Sequence, residues 1–392
     1  MIALPDVIAE LSQACLRNPK AAGGLLSRFV ESHTFPILDG DSATFFFWDG
    51  NPTDSVHLIN WVFGLESRLP MLKVPGTDAF WLQVELPHRA RVEYKLELQR
   101  RGRRAWIRDP LNPNQAFDPF GSNSVCPMPG YHEPAWIHPQ AECRPGTLES
   151  FTIDSAVWGD QRKVTVYLPN EHKPTRKYPL LVCHDGTDYL RFAGIKVVLD
   201  NLIGRQEVKP LIVAFVDGGD RNPEYGAHPD HPAFIVDEVL PALDARYGLR
   251  TDPEDRGIMG ASFGGVASLW TAWNRPGTFG RLLLQSGSFA FTDVGSHGRG
   301  PLWDPVVEFI NAFRKDITRP VEGVAEPRIF MSCGVFESLI HYNRTLAPGL
   351  RRAGVPVRFI EAQDGHNWIC WRDRLRDALT WLFPGHLWMV YE

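Results

Sequence analysis

The chain has 392 residues, with 44% hydrophobic and 22% charged side chains and a formal net charge of −5. That is enough sequence for two domains and a sizeable core, and the composition is that of an ordinary globular protein. The charge balance gives no footing for nucleic acid or an anionic membrane surface as a partner.

In residues 1–34 the apolar positions Val7, Ile8, Leu11, Leu25, Leu26, Phe29 and Val30 predict two short helices, broken around Asn18-Pro19 and Gly23-Gly24. Their expected job is packing on another domain or subunit. Asp6 and Glu10 interrupt any apolar run near the start, so neither a signal peptide nor a membrane span is expected, and the cytoplasm is the default location. The six cysteines show no metal-ligand spacing and suit a reducing compartment. The oligomeric state is left open.

Residues 35–146 carry a different texture. Ala43–Trp48, Ser55–Val62, Phe80–Leu86 and Arg91–Leu98 read as short strands separated by turns, which predicts a β-sandwich. Arg100, Arg101, Arg103 and Arg104 flank Gly102 and read as a solvated hairpin tip. The Pro-, Asn- and Gly-rich stretch 109–150 is an irregular connector, with the domain boundary expected near 140–147. From 147 to 392 strands alternate with helices; Tyr178–Cys183 reads as a continuous apolar strand, Pro210–Val216 as another buried strand and Arg281–Ser286 as a further strand. This predicts an α/β domain with a mostly parallel sheet.

The most informative stretch is Gly260-Ala261-Ser262-Phe263-Gly264, followed by Gly265. It fits G-x-S-x-G, with a strand pattern before it and a helix pattern after it, as a nucleophile elbow requires. A serine hydroxyl needs a base and a carboxylate that orients the base. Functional loops of an open α/β sheet leave the carboxyl ends of its strands. His366 follows the last strand and Glu337 the strand before it, in the order Ser262, Glu337, His366. Asp364 and Asp304 are the competing carboxylates. Oxyanion donors are expected from the Phe263 N–H and from Gly186 or Thr187 after the Tyr178–Cys183 strand. His184 is expected to line the site. His228, Asp230 and His231 lie in a Pro-rich loop read as surface, not metal centre. The segment 288–325 is the expected cap.

Residues 147–385 resemble the enterochelin (enterobactin) esterase-like group of the α/β-hydrolases. The resemblance is carried by His184-Asp185-Gly186, Asp217 with Arg221–Tyr225, the serine elbow, Gln285–Ser288, Gly334–Glu337 with Asn343-Arg344, and Gly365–Trp368 with Trp371-Arg372. It implies an α/β-hydrolase domain after a β-sandwich, a Ser262–His366–Glu337 triad, and Arg221 and Trp368 facing substrate. It implies a small-molecule ester as partner, a ferric siderophore among the candidates, and no metal or organic cofactor. Feruloyl and acetyl ester hydrolysis, acyl transfer and a silent ligand-binding role are the alternatives.

Overall fold

The computed structural model describes residues 4–317 and 326–385. Two units are distinguished by their internal contacts: residues 1–133 with the short segments 335–337 and 363–365, and the rest from residue 134 onward.

The first unit opens with helices Asp6–Arg17 and Ala22–Ser32. The break falls at Asn18-Pro19, as expected, but Gly23-Gly24 lie inside the first turn of the second helix. Glycine there costs about 1 kcal/mol each relative to alanine. Burial of Leu26 and Phe29 on the same helix offsets this. Two antiparallel sheets follow, of four and six strands. Strand Ser42–Phe47 shows why the helices are there. Phe45 and Phe47 point to one core with Leu58, Tyr94 and Leu96, and Phe46 points to the other with Ile8, Leu26 and Phe29. Alternate residues face opposite sides of a strand, so an unbroken aromatic run needs cover on both faces, and the first 34 residues supply it. Arg101 and Gly102 have φ of 49° and 78° and close the basic hairpin between Arg91–Arg100 and Arg103–Ile107.

The second unit is built on an eight-stranded sheet. Its strands are β1 (Thr147–Ser155), β2 (Asp160–Leu168), β3 (Leu180–His184), β4 (Ile212–Val216), β5 (Arg256–Ala261), β6 (Arg281–Gln285), β7 (Arg328–Gly334) and β8 (Val357–Ala362). The spatial order is β1-β2-β4-β3-β5-β6-β7-β8. β1 and β2 form an antiparallel hairpin, β2 pairs antiparallel with β4, and the remaining pairs are parallel. Every residue of β3 and β4 is buried, which is why those strands read as continuous apolar runs. Separate apolar clusters lie on the two faces of the sheet. The expected helix over 233–247 forms, but its middle, Phe234–Val239, is a π-helical turn. Pro241 supplies no N–H to the helical ladder just beyond it.

Candidate active site

Ser262 lies at the turn from β5 into the helix Phe263–Asn274, with φ 57° and ψ −120°. A non-glycine residue held there is strained, and the surroundings over-determine it. Its N–H donates to the Gln285 carbonyl at 2.9 Å, and its own carbonyl accepts from Gly265, Val266 and Ser288. The hydroxyl is 3.2 Å from that of Ser288. The flanking glycines have a steric reason. A Cβ on Gly260 would stand 2.3 Å from the Gly264 carbonyl carbon, and one on Gly265 would stand 3.2 Å from the Gly287 Cα. We expect Gly260→Ala to destabilise the protein by about 3 kcal/mol or to prevent folding, because only backbone movement could relieve the overlap. A urea midpoint equal to wild type would contradict this.

The Phe263 N–H is at the first position of a helix, where backbone donors have no intrahelical acceptor. The facing loop is more constrained than its sequence suggests. Asp185 adopts φ 52°, and its carboxylate takes two hydrogen bonds from Arg221, at 2.5 and 2.6 Å. Burial raises the Asp185 pKa, and Arg221 works against that rise. The Thr187 N–H and hydroxyl both donate to Asp217, so the Thr187 N–H is already engaged within the structure. A Cβ on Gly186 would stand 2.3 Å from the Phe215 Cβ, so only glycine fits against β4.

A buried polar chain braces the carboxyl end of β6. The Tyr189 hydroxyl donates to Gln285, Gln285 donates to the Trp371 carbonyl, and the Trp371 indole donates to the Ser286 hydroxyl. The His366 ring stands edge-on to Trp371, with centroids 5.0 Å apart at 90°. His366 is exposed, four residues past Ala362, the end of β8. Glu337 is 4% exposed, three residues past Gly334, the end of β7. Along the chain, Ser262 follows β5, Glu337 comes after β7 and His366 after β8. The polar chain was missed in the sequence, because Tyr189, Gln285 and Trp371 are far apart along it and share no motif.

Other expected positions change role. His184 is fully buried and bonds to Met259, Ser268 and His231, so it does not line the site. Its strand is covered on both faces, and its side chain turns inward. Trp368 is 8% exposed and packs edge-on against Tyr189 and Trp371, which makes it core rather than a substrate-facing ring. Arg221 and Glu224 do not pair with each other. Arg221 takes Asp185, and Glu224 takes a bidentate bond from Arg162 at 2.8 and 2.9 Å. His231 is not on the surface but buried. Among the described residues no group of three or more His, Cys, Asp or Glu side chains is placed to hold a metal ion. Asp304 is 66% exposed at its side chain and lies 2.8 Å from His297. In the first unit, Asp364 is buried against Arg91 at 3.3 Å and accepts from the Gly365 N–H. Of the expected cap, residues 318–325 lie outside the described residues. The part before them contains the helix Asp304–Asp316.

Comparison with known proteins accords with this geometry. The family described as "Putative esterase" matches residues 155–382, more than half of the chain. The iron(III) enterobactin esterase of Dickeya dadantii (strain 3937) is 26% identical over 356 residues, covering 80% of this chain and 79% of that one. The crystal structure of ferric enterobactin esterase from Salmonella typhimurium shares the fold with a TM-score of 0.74 at 21% identity, over 91% of this chain and 98% of that one. A ferulic acid esterase superposes with a TM-score of 0.52 at 24% identity, over 61% of this chain and 98% of its own. The strand order, the strained serine turn and these matches together make the chain a carboxylic ester hydrolase with an α/β-hydrolase fold, belonging to the Putative esterase family.

Proposed function

We propose that the protein is a serine esterase acting on a siderophore trilactone of the enterobactin type. The Ser262 Oγ attacks the ester carbonyl carbon while His366 takes its proton. Glu337 orients the imidazole and stabilises its charged form. The N–H groups of Phe263 and Gly186 receive the oxyanion. Collapse of the tetrahedral intermediate breaks the bond to the leaving alcohol, which takes the proton from His366. Water, deprotonated by the same histidine, then cleaves the acyl-enzyme and releases the acid and the free serine.

The observation that carries the chemistry is the Ser262 turn, whose strained, positive-φ backbone is held by four hydrogen bonds to its own N–H and carbonyl. Support for the substrate comes from extent. The enterobactin esterases match 80% and 91% of the chain, and the ferulic acid esterase matches 61%. Residues 35–146 are read as a β-sandwich and connector that belong to this substrate class, a reading supported by the two antiparallel sheets. Arg221, whose side chain remains 39% exposed beside Asp185, is the cation we assign to an anionic ligand at the oxyanion loop. The six free cysteines favour a cytoplasmic site of action.

The test is a substrate panel combined with fluorophosphonate labelling. We expect labelling of wild type, and kcat/KM for ferric and iron-free trilactone at least about a hundredfold above that for feruloyl or acetyl sugar esters. A feruloyl ester turned over faster than the trilactone would transfer the assignment to carbohydrate ester hydrolysis. A chain that resists the label would leave only ligand binding.

A further inference from the structure

We infer that the buried pair His184–His231 positions the nucleophile elbow, and does so only with both rings uncharged. This rests on Ser262 as nucleophile.

The His184 Nδ1 is 3.0 Å from the Met259 carbonyl and 3.0 Å from the Ser268 hydroxyl. Met259 is in β5, three residues before Ser262, and Ser268 is on the helix six residues after it. One imidazole thus ties together the strand and the helix that meet at the serine. The Ser268 hydroxyl donates to the Gly264 carbonyl at 2.8 Å, and a Cβ on Gly264 would lie 3.3 Å from the His184 Cβ. The ring is wedged where the elbow is tightest.

The tautomers follow from the partners. A carbonyl only accepts, so the His184 Nδ1 carries the proton. The opposite tautomer would set a lone pair against the Met259 oxygen. The neutral ring then has a bare Nε2, and the His231 Nε2 lies 2.8 Å from it. His231 must donate, which leaves its Nδ1 bare. That nitrogen is buried and has no hydrogen-bond partner among the described residues. Tyr225 packs edge-on against both rings, and Phe234 lies beyond His231.

A further proton would have nowhere favourable to go. The groups that bear on the pair are Arg221 from the helix Arg221–Tyr225, Arg162 from β2 and His228 from the Pro-rich loop. Each disfavours added positive charge. Asp185, next to His184, is committed to Arg221. Burial is the largest cause, and it pushes His184 down to about 4 and His231 well below its ordinary value. Both shifts are downward, so the unfolded chain binds protons first. Stability supplied by the neutral pair is whole above about pH 6.5, the ordinary histidine value, and is lost as pH falls below it.

The test uses the full-length chain with His231→Leu and His231→Gln. Leucine leaves the His184 Nε2 unpaired, and glutamine keeps an N–H donor that does not titrate. We expect His231→Leu to lower kcat about tenfold with KM changed less than about twofold, and His231→Gln to recover most of the loss. Both variants should show a flatter dependence of the unfolding midpoint on pH than wild type between about pH 6.5 and about pH 4. If the leucine variant fails to fold, nitrogen-15 NMR of wild type decides. It should show His184 protonated at Nδ1, His231 protonated at Nε2, and neither ring charged at about pH 5. A charged ring at that pH, the opposite tautomers, or an unaltered kcat in His231→Leu overturns the inference. An active Ser262→Ala would remove the esterase reading and leave the NMR result intact, so the two failures are distinguishable.

Discussion

Ser262→Ala is expected to lower kcat by about four to six orders of magnitude, while far-ultraviolet circular dichroism and the unfolding midpoint stay at wild-type values. Only the hydroxyl is removed. It lies 3.2 Å from that of Ser288, a long contact between two small groups. The bonds that shape the turn use the backbone of residue 262, through Gln285, Gly265, Val266 and Ser288, and alanine retains them all. The strain of φ 57° is also common to serine and alanine. Loss of activity with retained fold therefore isolates the nucleophile. Turnover within tenfold of wild type would defeat the mechanism. The covalent label gives a second check, since the alanine variant should take up none.

The next largest effect is expected at Glu337. Glu337→Gln keeps the shape of the side chain and removes its charge; under the proposed mechanism that takes away the carboxylate that fixes the His366 tautomer and stabilises its charged form. We expect kcat to fall about 10³- to 10⁴-fold, with KM changed little. Two controls give the result its meaning. Asp304→Asn should be close to neutral, because Asp304 is exposed and faces His297 at the start of its helix. Asp364→Asn should act mainly on stability, because its carboxylate neutralises Arg91, whose side chain is 3% exposed. Breaking a buried pair on one side costs about 3–5 kcal/mol. An active Glu337→Gln beside a dead Asp304→Asn would move the acid role to the helix Asp304–Asp316.

Much of this was legible in one dimension because its causes are local. Alternation in Arg91–Leu98, the unbroken apolar runs of β3 and β4, and the Gly-Ala-Ser-Phe-Gly turn each follow from what a few consecutive residues can do. The misplaced residues share a different character. His184 and Trp368 were expected at the ligand because each sits at a strand end or near the base. The chain beyond a strand end can turn a ring inward or outward, and the choice depends on which distant groups wait there. For His184 those groups are Met259, Ser268 and His231. For Trp368 they are Tyr189, Phe192 and Trp371. Ion pairing is likewise decided by distant groups. Arg221 and Glu224 stand one helical turn apart, yet each found a better-oriented partner, Asp185 and Arg162, more than thirty residues away.

By itself the sequence determined the order of strands and helices, the serine turn, and the strand ends from which a carboxylate and an imidazole are offered. Those depend on backbone stereochemistry and on the spacing of apolar side chains, which act over a few residues. Only the tertiary structure decided which polar groups pair, which rings are core and which donor of the oxyanion loop is already spent. Burial makes an unpaired polar group costly, and the partner that relieves the cost is chosen by proximity in space.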